Sequence, residues 1–228
     1  MGVKMADLPK AKRPYMTVVL AMSADGKIAD VGRSPARFGS AQDKSHLETQ
    51  IAQADGVLFG AGTLRAYGTT LRVTNGDLLR QRQERGQPSQ PVQMVCSRSA
   101  DLDGDYAFFR QPVPRWLVTT GVQVGRWGEP QFERVVAVGY QEVDWEGALL
   151  ELWRLGLERV VVTGGGELVA SLWAIGAIDE MWLTVCPVVL GGRDAPTPVG
   201  GAGLLDGKLE LLGVEAIGGE VFLHYRSA

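Results

Sequence analysis

Cysteine and histidine are scarce here, with two of each in 228 residues. Cys96, Cys186, His46 and His224 stand far apart and give no metal-ligand spacing, so no metal site is expected. Both cysteines fall in apolar segments, 92–96 and 182–189, and read as buried reduced thiols of a cytoplasmic protein. An excess of either charge is also missing: 23 Lys and Arg face 26 Asp and Glu, a net charge of -3. No global field therefore draws the chain to nucleic acid or to a membrane surface. The longest apolar runs, 160–163 and 181–190, are far too short to span a bilayer. Residues 1–13 carry basic side chains with no apolar stretch behind them, which reads as a tail rather than a signal peptide. Residues 14–228 then form one domain. Neither a Gly-x-Ser-x-Gly elbow nor a phosphate-loop lysine motif occurs, since Gly207-Lys208 lacks the earlier glycine and runs into Leu209. His46 and His224 read as structural. With no nucleophile–base pair in view, a cofactor that brings its own reactivity is favoured.

Glycine, by contrast, is abundant: 30 residues, clustered between short apolar runs. That is the pattern of strands ending in tight loops where backbone must come close to something. Strands are predicted at 15–22, 56–60, 93–97, 116–119, 134–138, 159–163, 180–189, 209–216 and 220–225. Helical spacing of apolar residues marks 42–53, 144–155 with Asp144 as cap, and 167–175. Alternation of strand and helix implies an α/β fold with a mostly parallel sheet. The last two strands have no helix between them and should form an antiparallel hairpin at one edge. The polar stretch 75–91 reads as a surface excursion, with Arg80, Arg82, Glu84 and Arg85 exposed around a helical turn. The stretch 121–130 resists assignment.

Four segments could carry chemistry. Ser23-Ala24-Asp25-Gly26-Lys27 follows the first strand and makes a tight turn, functional or merely a hairpin. Gly60-Ala61-Gly62-Thr63-Leu64 closes the second strand. Bare amides there could meet a pyrophosphate, or the segment is a plain strand-to-helix turn. Thr163-Gly164-Gly165-Gly166-Glu167-Leu168 sets three glycines between a strand and a helix, and favours a ligand approaching closely. Glu167 there can complement the helix dipole. Neither glycine segment completes a dinucleotide fingerprint, because Arg65 and Val169 occupy the third glycine position. The fourth, Leu190-Gly191-Gly192-Arg193, offers an arginine to a phosphate or carboxylate, or to solvent.

Taken in order, A-M-S-A-D-G-K-I-A at 21–29, G-V-L-F-G-A-G-T-L at 56–64, V-V-V-T-G-G-G-E-L at 160–168 and I-D-E-M-W-L-T-V-C-P-V-V-L-G-G-R at 178–193 resemble the reductase domain of the bifunctional riboflavin-biosynthesis deaminase–reductase. The likeness runs over about 15–225. It implies a dihydrofolate-reductase-like three-layer fold, a homodimer, and hydride transfer from NADPH to the ribosyl group of a phosphoribosylamino pyrimidine. It further implies that Gly60, Gly62, Thr63 and Leu64, with Gly164, Gly165, Gly166, Glu167 and Leu168, line the pyrophosphate and nicotinamide. Ser97 and Arg98 would stand near the adenosine 2′-phosphate and Thr119 near the adenosine. Ser23, Asp25, Ser40 and Asp43 would face the substrate. A proton must accompany the hydride, with Asp25 or water as its source. Arg72 or Arg193 would meet the substrate phosphate.

The chain departs from the family pattern in three places. Ala66-Tyr67-Gly68-Thr69-Thr70-Leu71-Arg72-Val73-Thr74 stands where the family has Ala-Asp-Asp-Pro-x-Leu-Thr-Val-Arg, Thr163 stands where Glu often precedes the glycines, and Val19 replaces a lysine. All three fall on the substrate side. Two other readings therefore stay open: a related reductase of another small heterocycle or carbonyl compound, and a nucleotide-binding protein without catalysis.

Overall fold

The computed structural model describes residues 12–201, 203 and 207–228. Most of the expected tail therefore lies outside the described residues, but its last residue belongs to the fold. Arg13 grips Asp179 through two hydrogen bonds of 2.6 and 2.8 Å, and the same carboxylate accepts the Met16 N–H.

The strands are β1 (Tyr15–Ser23), β2 (Gly56–Gly60), β3 (Val92–Cys96), β4 (Arg115–Thr119), β5 (Arg134–Ala137), β6 (Arg159–Val162), β7 (Glu180–Cys186), β8 (Leu209–Ile217) and β9 (Glu220–Ser227). They form one sheet in the order β5-β4-β3-β2-β6-β1-β7-β9-β8. Every pairing from β5 to β7 is parallel, and β9 pairs antiparallel with both β7 and β8. The predicted α/β class and C-terminal hairpin are thus both present. Only β7 ends well short of expectation, at Cys186 rather than 189. Pro187 has no N–H for the ladder, and Val188 turns back to the Cys186 carbonyl at 2.8 Å.

Among the described residues five helices, α1 (Ala41–Gln53), α2 (Ala61–Tyr67), α3 (Gly76–Glu84), α4 (Trp145–Arg154) and α5 (Gly166–Ala174), cover the two faces. Asp144 caps α4 as expected, accepting the Gly147 N–H. Alternate strand residues feed two separate cores. Met16, Val18, Leu58, Val160 and Val162 pack with α4 and α5, while Val19, Val57, Phe59 and Val161 pack with α1 and α2. Burial on both faces is why these strands read as unbroken apolar runs.

The stretch 75–91 is more structured than its polarity suggests. Asn75 caps α3 by accepting the N–H groups of Asp77 and Leu78. Arg82, expected in solvent, is 1% exposed. Its guanidinium donates to the carbonyls of Ala52, Ala54 and Pro88 at 2.7–2.9 Å. Two of those close the C-terminal end of α1, where helical carbonyls lack partners, so the charge is buried because those groups need it. In 121–130, residues Gly121–Gln123 form a 3-10 turn, and Trp127 stacks on Phe109 at 5.5 Å.

Candidate active site

Between the parallel neighbours β2 and β6 the order of strand addition reverses, β2 leading outward to β3 and β6 leading the other way to β7, the position at which open α/β sheets gather their ligands. After β2 the chain enters α2 on one face, and after β6 it enters α5 on the other. The two exits touch, with the Gly60 N–H donating to the Gly164 carbonyl at 2.9 Å. Gly164 holds φ +129°, a region that essentially only glycine takes. Gly166 is required by proximity instead: a Cβ there would lie 2.2 Å from the Thr197 carbonyl oxygen. Gly62 faces open space, with nothing within 4 Å of an added Cβ.

A cleft of about 1480 Å³ opens over these bends. Gly60, Gly62, Thr63, Ser97, Arg98, Gly164, Gly165, Gly166, Glu167, Leu168, Ser40 and Asp43 all line it, so most of the residues singled out in the sequence converge on one space. Gly165 is the N-cap of the nine-residue α5 and offers no side-chain hydrogen bond, which leaves the first-turn amides available to an anion. Toward β3, Arg98 forms an exposed ion pair with Glu142 at 2.7 Å, and Arg65 also borders the cleft. Toward β1, Lys27, Arg37, Lys44 and Arg193 line the wall. A chain of net charge -3 has thus concentrated cations here.

Several expected residues stand outside this space. Asp25 does not line it. Its carboxylate accepts the Ser23 hydroxyl at 2.6 Å and the N–H groups of Leu190 and Gly191 at 3.1 and 2.7 Å. The Ser23 hydroxyl, followed by those amides, holds Asp25 down at about 2. It braces two loops and has no proton to give near neutrality. Ser23 is itself buried, and also accepts the Lys27 N–H. Leu64 is wholly buried on the core face of α2. Thr119 is buried too, and its hydroxyl fixes the Ser97 carbonyl at 2.7 Å, a supporting role one layer below the cleft. Arg72 is half-buried and does not border the cleft. Sequence reasoning put Tyr67 on the substrate side only as part of the departing stretch 66–74, and did not find Arg37 or Lys44 as cleft residues. None lies in a glycine motif, and long-range packing alone brings them in: the Tyr67 hydroxyl donates to the Ala36 carbonyl at 2.9 Å.

Both histidines are structural in place. His46 packs its ring against Trp182 and Phe222, and His224 stacks on Trp182 at 3.8 Å beside Glu180. Among the described residues no cluster of three or more potential metal ligands occurs.

The RibD C-terminal domain family model matches residues 14–223. The chain belongs to that family. A 2,5-diamino-6-ribosylamino-4(3H)-pyrimidinone 5′-phosphate reductase of Archaeoglobus fulgidus is 30% identical over 212 residues, covering 90% of this chain and 94% of that protein. Among solved structures, a pyrimidine reductase-like protein of Corynebacterium diphtheriae superposes with a TM-score of 0.79 at 19% identity, covering 99% of both chains. Dihydrofolate reductase of Enterococcus faecalis superposes more loosely, with a TM-score of 0.52 at 13% identity over 94% of this chain and 99% of that one. RibD C-terminal domain membership and the dihydrofolate-reductase-like architecture agree with what the four motifs implied. Tyr67 and Thr163, from two of the departing stretches, both line the cleft.

Proposed function

We propose that this RibD C-terminal domain protein is an NADPH-dependent reductase that converts a ribosylaminopyrimidine phosphate to its ribityl product in riboflavin biosynthesis. The observation that carries the reading is the large cleft, with uncapped amides and bare glycines at its centre and cations to either side. Two anionic ligands, a dinucleotide and a phosphorylated substrate, fit that charge pattern. Bound NADPH would supply the hydride. The residues that would hold it are Gly60, Gly62, Thr63 and Gly164–Leu168 around the diphosphate, with Ser97 and Arg98 at the 2′-phosphate. An arginine that can meet phosphate oxygens in a forked geometry favours the phosphorylated coenzyme over NADH. Lys27, Arg37 and Arg193 would receive the substrate phosphate. Holding donor and acceptor carbon at about 3–3.5 Å supplies much of the rate.

We infer a homodimer as well. Strand β8 is an edge of the sheet and carries Leu211 at 52% and Val214 at 58% exposure. A second copy laid on it would cover both the open edge and the apolar side chains. Light scattering of wild type and Leu211→Lys tests this, the variant being expected as monomer. A reducing, cytoplasmic setting suits the free thiols Cys96 and Cys186.

NADPH oxidation is the test of function, with the 2,5-diamino pyrimidinone phosphate and the corresponding deaminated uracil supplied in turn. The expected product is two hydrogens heavier than its substrate by mass. Failure with both, despite NADPH binding by calorimetry, would turn the reading toward another carbonyl substrate. No binding heat at all would end it.

A further inference from the structure

Four acids border the cleft, and three of them are exposed to solvent. Glu142 is tied to Arg98, Glu167 faces Arg33 at 3.6 Å, and Asp194 is exposed. Asp43 alone is half-buried and, among the described residues, outside any ion pair. It sits in the first turn of α1, where its own N–H bonds to the N-cap Ser40 hydroxyl at 3.2 Å. The wall segment 66–74 contains no carboxyl group, and Thr163 precedes the glycines, so the other sides of the cleft do not replace it.

Behind Asp43 lies a set of polar groups that the reading above leaves unused. Glu220, at the start of β9, is 3% exposed. Its Oε1 accepts the Ser40 N–H at 2.8 Å and its Oε2 accepts the Ser40 hydroxyl at 2.5 Å. The Ser40 hydroxyl already accepts the N–H groups of Gln42 and Asp43, so its one hydrogen is committed to Glu220. The Cys186 thiol lies 3.5 Å from Oε1. Glu220 is therefore an acceptor on both oxygens, which is the bonding of an ionised carboxylate. This clasp also pins the start of α1 to the far strands of the sheet.

The groups facing Asp43 are Glu220 from β9, Thr184 and Cys186 from β7, and Tyr67 from α2, with Arg37 and Lys44 bordering the same cleft. Burial raises Asp43 above the ordinary carboxyl range; the Thr184 side chain opposes the rise, and the Glu220 charge adds to it. Burial, with Glu220 and Asp43, pushes the Cys186 thiol to about 12, so it stays S–H.

We propose that Asp43 is the proton donor of the reduction and that Glu220, buried behind it and clasped to Ser40, is the positioning residue that holds the first turn of α1, and with it Asp43, at the cleft. The proposal rests on the reductase reading. The reaction then balances. The hydride and its electron pair pass from the dihydronicotinamide to C1′ of the ribosylamino group. The C1′–O4′ bond breaks, and O4′ keeps the bonding pair and takes the Asp43 proton. The products are a ribitylamino chain, oxidised nicotinamide and an Asp43 carboxylate that is reprotonated by water from the open cleft.

Three variants and one titration test it. Asp43→Asn should lower kcat by about 10²–10⁴-fold with the NADPH Kd unchanged, and Asp43→Glu should restore part of the loss. Because the acid form is the active one, kcat should fall as pH rises through the Asp43 midpoint. Glu220→Gln removes the neighbouring charge and should move that falling limb to lower pH by about one unit, with KM little changed. Full kcat in Asp43→Asn, or a limb that stays in place in Glu220→Gln, overturns the proposal. A ¹³C-carboxyl titration of the free protein needs neither substrate nor a folded variant. Asp43 should titrate above the surface aspartates, and a midpoint among them overturns the pair even if Glu220→Gln does not fold. If no ribosylaminopyrimidine phosphate is reduced, the reductase reading fails by itself, and the titration still decides the carboxyl pair.

Discussion

Gly62 and Gly166 both border the cleft, yet a methyl group added to each should act in opposite directions. At Gly166 the new Cβ would lie 2.2 Å from the Thr197 carbonyl oxygen and 3.0 Å from the Gly200 nitrogen. Both are backbone atoms, so the wall 197–200 must move. That motion breaks the 3.0 Å bond from the Gly200 N–H to the Gly166 carbonyl. Overpacking of this kind costs about 1–3 kcal/mol and the lost bond about 1 kcal/mol more. At about 2–4 °C per kcal/mol for a chain of this size, Gly166→Ala should melt roughly 4–16 °C lower. Gly62 is the second residue of α2, does not have positive φ, and has nothing within 4 Å of the added Cβ. Replacing a helical glycine with alanine gains about 0.5–1 kcal/mol, so Gly62→Ala should melt higher by a few degrees. Its methyl projects into the space assigned to the diphosphate. An intrusion costing about 1.4 kcal/mol or more would raise the NADPH Kd about tenfold or more. Scanning calorimetry and NADPH titration calorimetry on the two variants read both quantities. A stabilised Gly62→Ala that binds NADPH with wild-type affinity would refute the placement of the coenzyme. A Gly166→Ala that melts with the wild type would refute the packing argument.

Arg82→Met keeps the buried stem but strips the donors from the Ala52, Ala54 and Pro88 carbonyls, and should cost about 3 kcal/mol by urea denaturation. The exposed pair Arg80–Asp77 offers the contrast, with Arg80→Ala expected within about 0.5 kcal/mol. Burial, followed by the nearby His224, depresses His46 below 6.5. Between the folded and unfolded midpoints the unfolded chain binds the extra proton, so this contribution is present above about 6.5 and is lost as pH falls below it. His46→Phe should therefore flatten the loss of melting temperature between neutral and mildly acidic buffer. Arg98→Ala should weaken NADPH about tenfold while leaving NADH nearly unchanged, measured by competition for the cleft.

Strand runs such as 56–60 and 159–162 declare themselves in the sequence because a parallel strand covered on both faces must be apolar throughout. The glycine bends are equally local signals, since close backbone approach and positive φ exclude other residues. These features were enough for the sheet, the terminal hairpin and the centre of the cleft. Charged and polar side chains carry no such local mark. Arg82 reads as solvent-facing until the open end of α1 is brought against it. Asp25 reads as an acid beside the substrate until the Leu190–Gly191 amides fold over it and fix it as a brace. Asp43 and Glu220 lie far apart in the chain, and only the β7–β9 pairing brings Glu220 beneath the first turn of α1. The sequence by itself determined which segments are strands and where backbone must come close, because period and glycine are local properties. Tertiary structure alone decided which acid is half-buried beside another carboxylate and which is spent as a brace, because neighbours and burial are supplied by distant parts of the chain.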